Sequence, residues 1–244
     1  MKKQISMIAC GLFALTLVSG AAQAQTAQEV LAKMIEAQGG AAALTSVKDT
    51  TINATVELVT MGMNGTLTMY QKEPNMMRMD IEIMGMVITQ AYDGTVAWMI
   101  NPQTGATEEM PEPAVQAMKR QSLGNDALLN PDKYGIKYEF KGKEKLDAKE
   151  YLVLQQTTAD GHQTTMYLDP ASYLTYKAKG KEVNAQTNAE VLTESTFGDY
   201  RKVGDVTLAH SVATTQDGQE FMKMAITKVT FNSNLEDAFF KMTK

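Results

Sequence analysis

Side chains able to do chemistry are few and unevenly spread along this sequence. Cysteine occurs once, at Cys10, and histidine twice, at His162 and His210, whereas methionine occurs 18 times. Five methionines fall within Met76-Met77-Arg78-Met79-Asp80-Ile81-Glu82-Ile83-Met84-Gly85-Met86, and Met61, Met63 and Met69 stand just before it. Three readings suit so much thioether. It can form a compliant apolar surface that repacks around a ligand such as an acyl chain. It can hold a soft metal, copper(I) above all. It can also be a plain core in which methionine replaces leucine. The other reactive groups form no constellation. Gly-x-Ser-x-Gly and the Ser-x-x-Lys of penicillin-binding enzymes are missing, as are a phosphate loop, a dinucleotide fingerprint, and zinc or calcium patterns. His162 reads as an exposed hairpin residue and His210 as a strand residue near a wet edge, neither with the partners a catalytic base needs. Asp80 and Glu82 share a face, but the adjacent Arg78 makes them a charge ladder rather than a glycosidase pair. No residue is assigned to catalysis, to a metal or to a cofactor, and the chain reads as a protein that is not an enzyme.

Parity resolves the methionine run. Met77, Met79, Ile81 and Ile83 point one way while Arg78, Asp80 and Glu82 point the other, the pattern of a half-buried strand. The phase reverses at Met84-Gly85-Met86, which predicts a tight turn and a new strand carrying Met86 and Ile88. Leu67 and Met69 from the strand before, and Val96, Trp98 and Ile100 from the strand after, are expected on the same inner face, with Met61 and Met63 at its rim. The candidate apolar ligand-binding set is therefore Met61, Met63, Leu67, Met69, Met77, Met79, Ile81, Ile83, Met86, Ile88, Trp98 and Ile100. Arg78, if near a cavity mouth, is the candidate for a phosphate or carboxylate headgroup; pairing with Asp80 is the competing account.

The elements that would position these residues follow from the rest of the chain. Lys2 and Lys3, the apolar run Ile5 to Val18, and Ala22-Gln23-Ala24 read as a signal peptide over residues 1–24, cut after Ala24. The apolar run is shorter than the roughly 20 residues that span a bilayer. Removing it takes away Cys10, so the mature chain has no disulfide and no thiolate site. It also leaves 21 basic against 28 acidic residues, a formal charge of −7, which disfavours nucleic acid and anionic membrane surfaces. Residues 25–244 suit a single domain.

Thr26 and Glu29 form a capping-box pattern ahead of Val30, Leu31, Met34 and Ile35 at helical spacing, and Gly39-Gly40 stop that helix. Ile52, Ala54, Val56 and Leu58 then alternate with polar residues. Strands are predicted at about 64–72, 75–83, 85–92, 95–101, 135–143, 150–158, 162–169, 172–179, 188–200, 206–215 and 219–231. Turns are predicted at Asn64-Gly65, Glu73-Pro74-Asn75, Asp93-Gly94, Asp160-Gly161, Asp169-Pro170 and Asp217-Gly218. Spacing this short implies antiparallel pairing. The main interruption, Pro111 to Tyr134, holds a helical stretch at Ala114 to Arg120 and the apolar pair Leu128-Leu129, and is the candidate lid; Leu235 to Met242 suggests a final turn. One apolar sheet face with so few helices to cover it predicts a curled sheet around a cavity.

The order of these features resembles a known family. The helix ending in Ala37-Gln38-Gly39-Gly40, the Lys72-Glu73-Pro74-Asn75-Met76-Met77-Arg78 turn and strand, Ala91-Tyr92-Asp93-Gly94 and Trp98-Met99-Ile100-Asn101-Pro102 are similar to the outer-membrane lipoprotein-sorting proteins of the LolA/LolB-like superfamily. Tyr138 to Glu144, Asp160-Gly161, Tyr167-Leu168-Asp169 and Asp199 to Val206 continue the pattern over nearly the whole mature chain. The resemblance implies a mainly β fold, an incomplete antiparallel half-barrel with covering helices, in the periplasm. It also implies a monomeric carrier for lipid or acylated lipoprotein, with a transient membrane or transporter partner and no cofactor. A methionine-based copper-binding protein and a structural or sensory domain without ligand are the alternatives.

Overall fold

A computed structural model describes residues 25–112, 114–183 and 189–242; the expected signal peptide, residues 1–24, lies outside them. Helix α1 (Ala27–Ala37) begins with the expected capping box: the Thr26 hydroxyl accepts from the Glu29 amide and the Glu29 carboxylate accepts from the Thr26 amide. A short helix α2 (Gly40–Ser46) follows. Six strands then run in succession: β1 (Asp49–Leu58), β2 (Met63–Lys72), β3 (Met76–Ile83), β4 (Met86–Tyr92), β5 (Ala97–Ile100) and β6 (Thr107–Glu109). Helices α3 (Ala114–Gln121) and α4 (Asn125–Leu129) interrupt them within the stretch expected to be a lid. Seven more strands complete the domain: β7 (Lys137–Leu146), β8 (Lys149–Thr157), β9 (Gln163–Leu168), β10 (Thr175–Val183), β11 (Glu190–Val203), β12 (Val206–Gln216) and β13 (Gln219–Phe231).

All thirteen strands form one antiparallel, curved and unclosed sheet in the order β6-β5-β4-β3-β2-β1-β13-β12-β11-β10-β9-β8-β7. Consecutive strands pair as hairpins, and the first and last strands meet in the middle, Ala54 opposite Ile226 and Val56 opposite Met224. Strands β6 and β7, adjacent in sequence, are therefore the two opposite edges. Residues 110–136 must travel from one edge to the other, and they do so over one face of the sheet. That face, shared with α1, is the inner one.

Two clusters join the inner face to the helices. Val30, Leu31 and Met34 of α1 pack on Leu152, Leu154 and Leu168. Met118 and Val115 of α3 pack on Met77, Tyr92 and Ala97, joined by Met69, Met79 and Met110. The outer face of β2 to β5 is covered by the C-terminal 3-10 turn Asp237–Phe240. The Trp98 indole donates to the Phe240 carbonyl at 2.8 Å, Phe239 meets Tyr70 edge-to-face at 4.8 Å, and the Arg78 guanidinium lies 4.5 Å over the Phe239 ring. Upstream, the buried Asp49 carboxylate accepts from the backbone amides of Ser233, Asn234 and Leu235, which fixes the path into that turn.

Two expectations change. Asn64-Gly65 is not a turn: the chain reverses at Val59 to Gly62, and Gly65 sits inside β2. A Cβ there would lie 2.2 Å from the Glu82 carbonyl oxygen, so the glycine serves close strand approach rather than reversal. Strand β6 was not expected, since Thr107-Glu108-Glu109 carries no apolar alternation and joins the sheet only through its pairing with β5.

Phe240 is fully buried against the lone tryptophan. Phe240→Ala is expected to lower stability by about 3–5 kcal/mol and to shift Trp98 emission to the red, read by urea unfolding followed by fluorescence.

Candidate functional site

Register decides which of the predicted residues share a surface. Met69 is opposite Met79, Leu67 opposite Ile81 and Gly65 opposite Ile83 across β2 and β3, while Ile88 is opposite Ile81 and Met86 opposite Ile83 across β3 and β4. Leu67, Met69, Met77, Met79, Ile81, Ile83, Met86 and Ile88 thus lie on the inner face, with Met63, opposite Leu58, at its end. Trp98 is opposite Ala91, which is opposite Arg78, so Trp98 and Ile100 are on the outer face with Arg78; the expectation that Trp98 and Ile100 share the methionine surface is corrected. The cause is that Tyr92, opposite Ala97, carries the inner face into β5, one residue out of phase with the expected Val96, Trp98, Ile100 set. Arg78 is no mouth residue: it pairs with Asp80 at 3.1 Å, and Asp80 also accepts from the Thr89 hydroxyl at 2.7 Å. Met61 and Met86 stand exposed at hairpin tips.

The methionine surface is occupied. Met77 is buried beneath α3 and contacts Met118, so this end of the inner face is the seat of the lid. One open space lies on the other half of the sheet. A cavity of about 360 Å³, open to solvent along part of its wall, lies between β7 to β10 on one side and α1, α3 and α4 on the other. Met34, Leu128, Ile136 and Met166 supply apolar lining, and Tyr138, Gln156, Thr158 and Thr164 supply polar lining. Tyr138 OH accepts from Gln156 Nε2 at 2.8 Å, and burial raises the Tyr138 phenol above its ordinary value, so it stays a neutral hydroxyl.

Charged groups close one end of this cavity. Arg120 of α3 reaches Asp160 Oδ2 at 2.7 Å through Nη1 and Glu182 Oε2 at 3.0 Å through Nη2; His162 Nε2 lies 3.3 Å from Glu182 Oε1. Burial would push Asp160 up, but hydrogen bonds from the Thr158 hydroxyl, Arg120 and the His162 amide, with the Arg120 charge, bring its carboxyl down to about 2. His162, expected to be exposed, lines the cavity with its side chain 14% accessible, and His210, expected near a wet edge, is buried with Nδ1 3.1 Å from the Leu208 carbonyl oxygen.

The lid is also tied at the far end of the sheet. Glu73, in the β2–β3 turn, accepts from the amides of Asn125 at 2.6 Å and Asp126 at 3.2 Å at the start of α4, and Gln71 Nε2 donates to the Leu123 carbonyl at 3.1 Å. Burial raises Glu73 despite those two amides. Sequence reading missed Arg120, Glu182, Tyr138 and Met166 because they meet only through the lid crossing. The one available signal was Arg120 itself, the single arginine of the predicted lid helix. Among the described residues, no group of three or more His, Cys, Asp or Glu side chains is placed to hold a metal ion.

No family model matches the chain, and no curated protein matches it by sequence. Solved structures match by fold. A DUF1329 family protein from Desulfovibrio piger is 12% identical, with 88% of this chain and 97% of that one covered at a TM-score of 0.58. A domain from Vibrio parahaemolyticus described as outer membrane lipoprotein-sorting is 15% identical, covering 88% and 97% at 0.57. A LolA superfamily protein from Nitrosomonas europaea is 13% identical, covering 89% and 98% at 0.58. The fold is the LolA-like half-barrel, as the sequence resemblance implied.

Because the folded-state value of Asp160 is depressed, its contribution to holding the lid is present above the ordinary carboxylate range and is lost as pH falls through about 2. Asp160→Asn is expected to destabilise at pH 7, with the difference from the parent shrinking as pH is lowered from about 5 towards 2, measured by urea midpoints across that range.

Proposed function

We propose that this protein is a periplasmic carrier that is exported by residues 1–24, acts as a monomer and holds an acyl chain of a lipid or lipoprotein between its inner face and the α3–α4 lid. The observation that carries this reading is the cavity of about 360 Å³ beneath the lid, with apolar lining from Met34, Leu128, Ile136 and Met166. It falls in the range of small-ligand sites, about 300–1,000 Å³. Each chain methylene withdrawn from water would contribute about 0.8 kcal/mol. The half-barrel fold, shared with a domain described as lipoprotein-sorting, supports the same class of ligand. The thioether seat under α3 extends the site: Met69, Met77, Met79 and Met118 can repack as the helix shifts, so a longer chain has room to follow. A membrane or transporter partner would supply and accept the lipid, and no cofactor takes part.

Native mass spectrometry of the purified protein should show a co-purifying lipid, and the stripped protein should bind a fluorescent fatty acid saturably. Thr164→Trp, which places an indole in the cavity, is expected to weaken that binding about tenfold or more while cooperative unfolding persists. A ligand-free mass together with no saturable binding would sink the carrier reading and leave a structural or sensory domain.

One observation favours a second reading, copper(I): Met69, Met77, Met79, Met110 and Met118 gather in one cluster. Leucine at positions 77 and 79 should leave fatty-acid binding nearly intact. If copper(I) bound the parent and that double variant lost it, with no lipid bound by either, the ranking would reverse.

A further inference from the structure

No cysteine lies among the described residues, so their sulfur is all thioether, and its exposure is sharply divided. Met34, Met77 and Met118 are 3%, 2% and 3% exposed, whereas Met61 is 55%, Met84 78% and Met86 57% exposed. The last three stand on two neighbouring hairpin tips. The turn Val59–Met61 carries the first, and Met84-Gly85 joins β3 to β4 with Met86 just beyond. Gly65 opposite Ile83 and Ile83 opposite Met86 set the two tips side by side at one end of the sheet.

The fold has no use for methionine at the β3–β4 tip. Met84 has φ 54° and Gly85 φ 78°, the doubly left-handed pair of a tight hairpin turn, where asparagine or aspartate before glycine is the favourable choice. A β-carbon is crowded in that region, and the Met84 side chain recovers little by packing because most of it faces water. Thioether at this position therefore costs stability, and what it brings that asparagine lacks is an oxidisable sulfur. Oxidation gives the sulfoxide, and exposure sets which methionine reacts first. At Met61, Met84 and Met86 the added oxygen is solvated. Beneath α3 it would put an unpaired dipole among Met77, Met118 and Tyr92, where burial without a hydrogen bond is costly.

We propose that Met61, Met84 and Met86 are a site of oxidation by hypohalous acids, taking up the oxidant before it reaches the thioethers that seat the lid. The step is an oxygen transfer. A sulfur lone pair takes the oxygen of hypochlorous acid, an S–O bond forms and the O–Cl bond breaks, and chloride and a proton leave. Sulfur loses two electrons and chlorine gains them. No other group of the protein has to act, so exposure alone ranks the sites.

The test is peptide mass spectrometry of the purified protein titrated with hypochlorous acid. At about three equivalents, sulfoxide at Met61, Met84 and Met86 should exceed that at Met77 and Met118 by about tenfold or more, with the urea midpoint unchanged. The variant Met61→Leu/Met84→Asn/Met86→Leu removes the exposed thioethers and keeps the fold: asparagine suits the left-handed position, so before oxidation its urea midpoint should match or exceed the parent's. In that variant, oxidation of Met77 and Met118, and the fall in midpoint that follows it, should begin about three equivalents earlier, one for each thioether removed. Met84→Asn alone, the least disturbing change, should bring the same onset forward by about one equivalent. Sulfoxide at Met77 or Met118 appearing as early as at the tips would overturn the proposal. So would a parent midpoint that falls with tip oxidation alone, or an onset that the variants leave where it was.

Discussion

The structure depends on one constraint of connectivity: the two edges of the open sheet, β6 and β7, are neighbours in sequence. The chain between them has to cross the sheet. It crosses over the inner face because that face carries the apolar side chains that need covering, and the crossing segment brings Val115 and Met118 to cover them. The lid, its seat and the cavity beneath it are three consequences of a single path.

The lid is held differently at its two ends. Over β3 to β5 it is seated by buried thioether and aromatic surface, with Met118 and Met77 both nearly inaccessible. Over β9 and β10 it is held by Arg120 between Asp160 and Glu182, at the edge of the cavity and partly in reach of water. Parting the charged groups returns each of them to solvent, which recovers much of the lost interaction. Parting the methionines exposes apolar area with nothing to offset it. The asymmetry makes the charged end the one that costs less to part than the methionine end.

The outer face follows the same logic in reverse. Arg78, Tyr70 and Trp98 would leave a mixed aromatic and charged patch in water, and the 3-10 turn Asp237–Phe240 lies over it. The lone tryptophan is thereby committed to anchoring the C-terminal segment, and Arg78 is held between Asp80 and the Phe239 ring. Asp49, buried at the start of β1 and accepting three backbone amides, ties that segment to the centre of the sheet.

Much was legible in the residue pattern because it depends on neighbours. The capping box at Thr26 and Glu29, the alternation through β1 and β3, the reversal at Met84-Gly85 and the antiparallel class all follow from period, turn chemistry and short connections. The sequence also marked Pro111 to Tyr134 as different from its surroundings. It could not place Trp98 on the correct face, because a shift of one residue between β4 and β5 exchanges the two faces and leaves no trace in composition. Nor could it join Arg120 to Asp160, Glu182 and His162, which lie on separate elements and meet only once the strand order sends the lid across the sheet. Local periodicity determined the elements and their apolar faces; long-range strand order, a property of the whole chain, decided which face the helices cover and where the empty space remains.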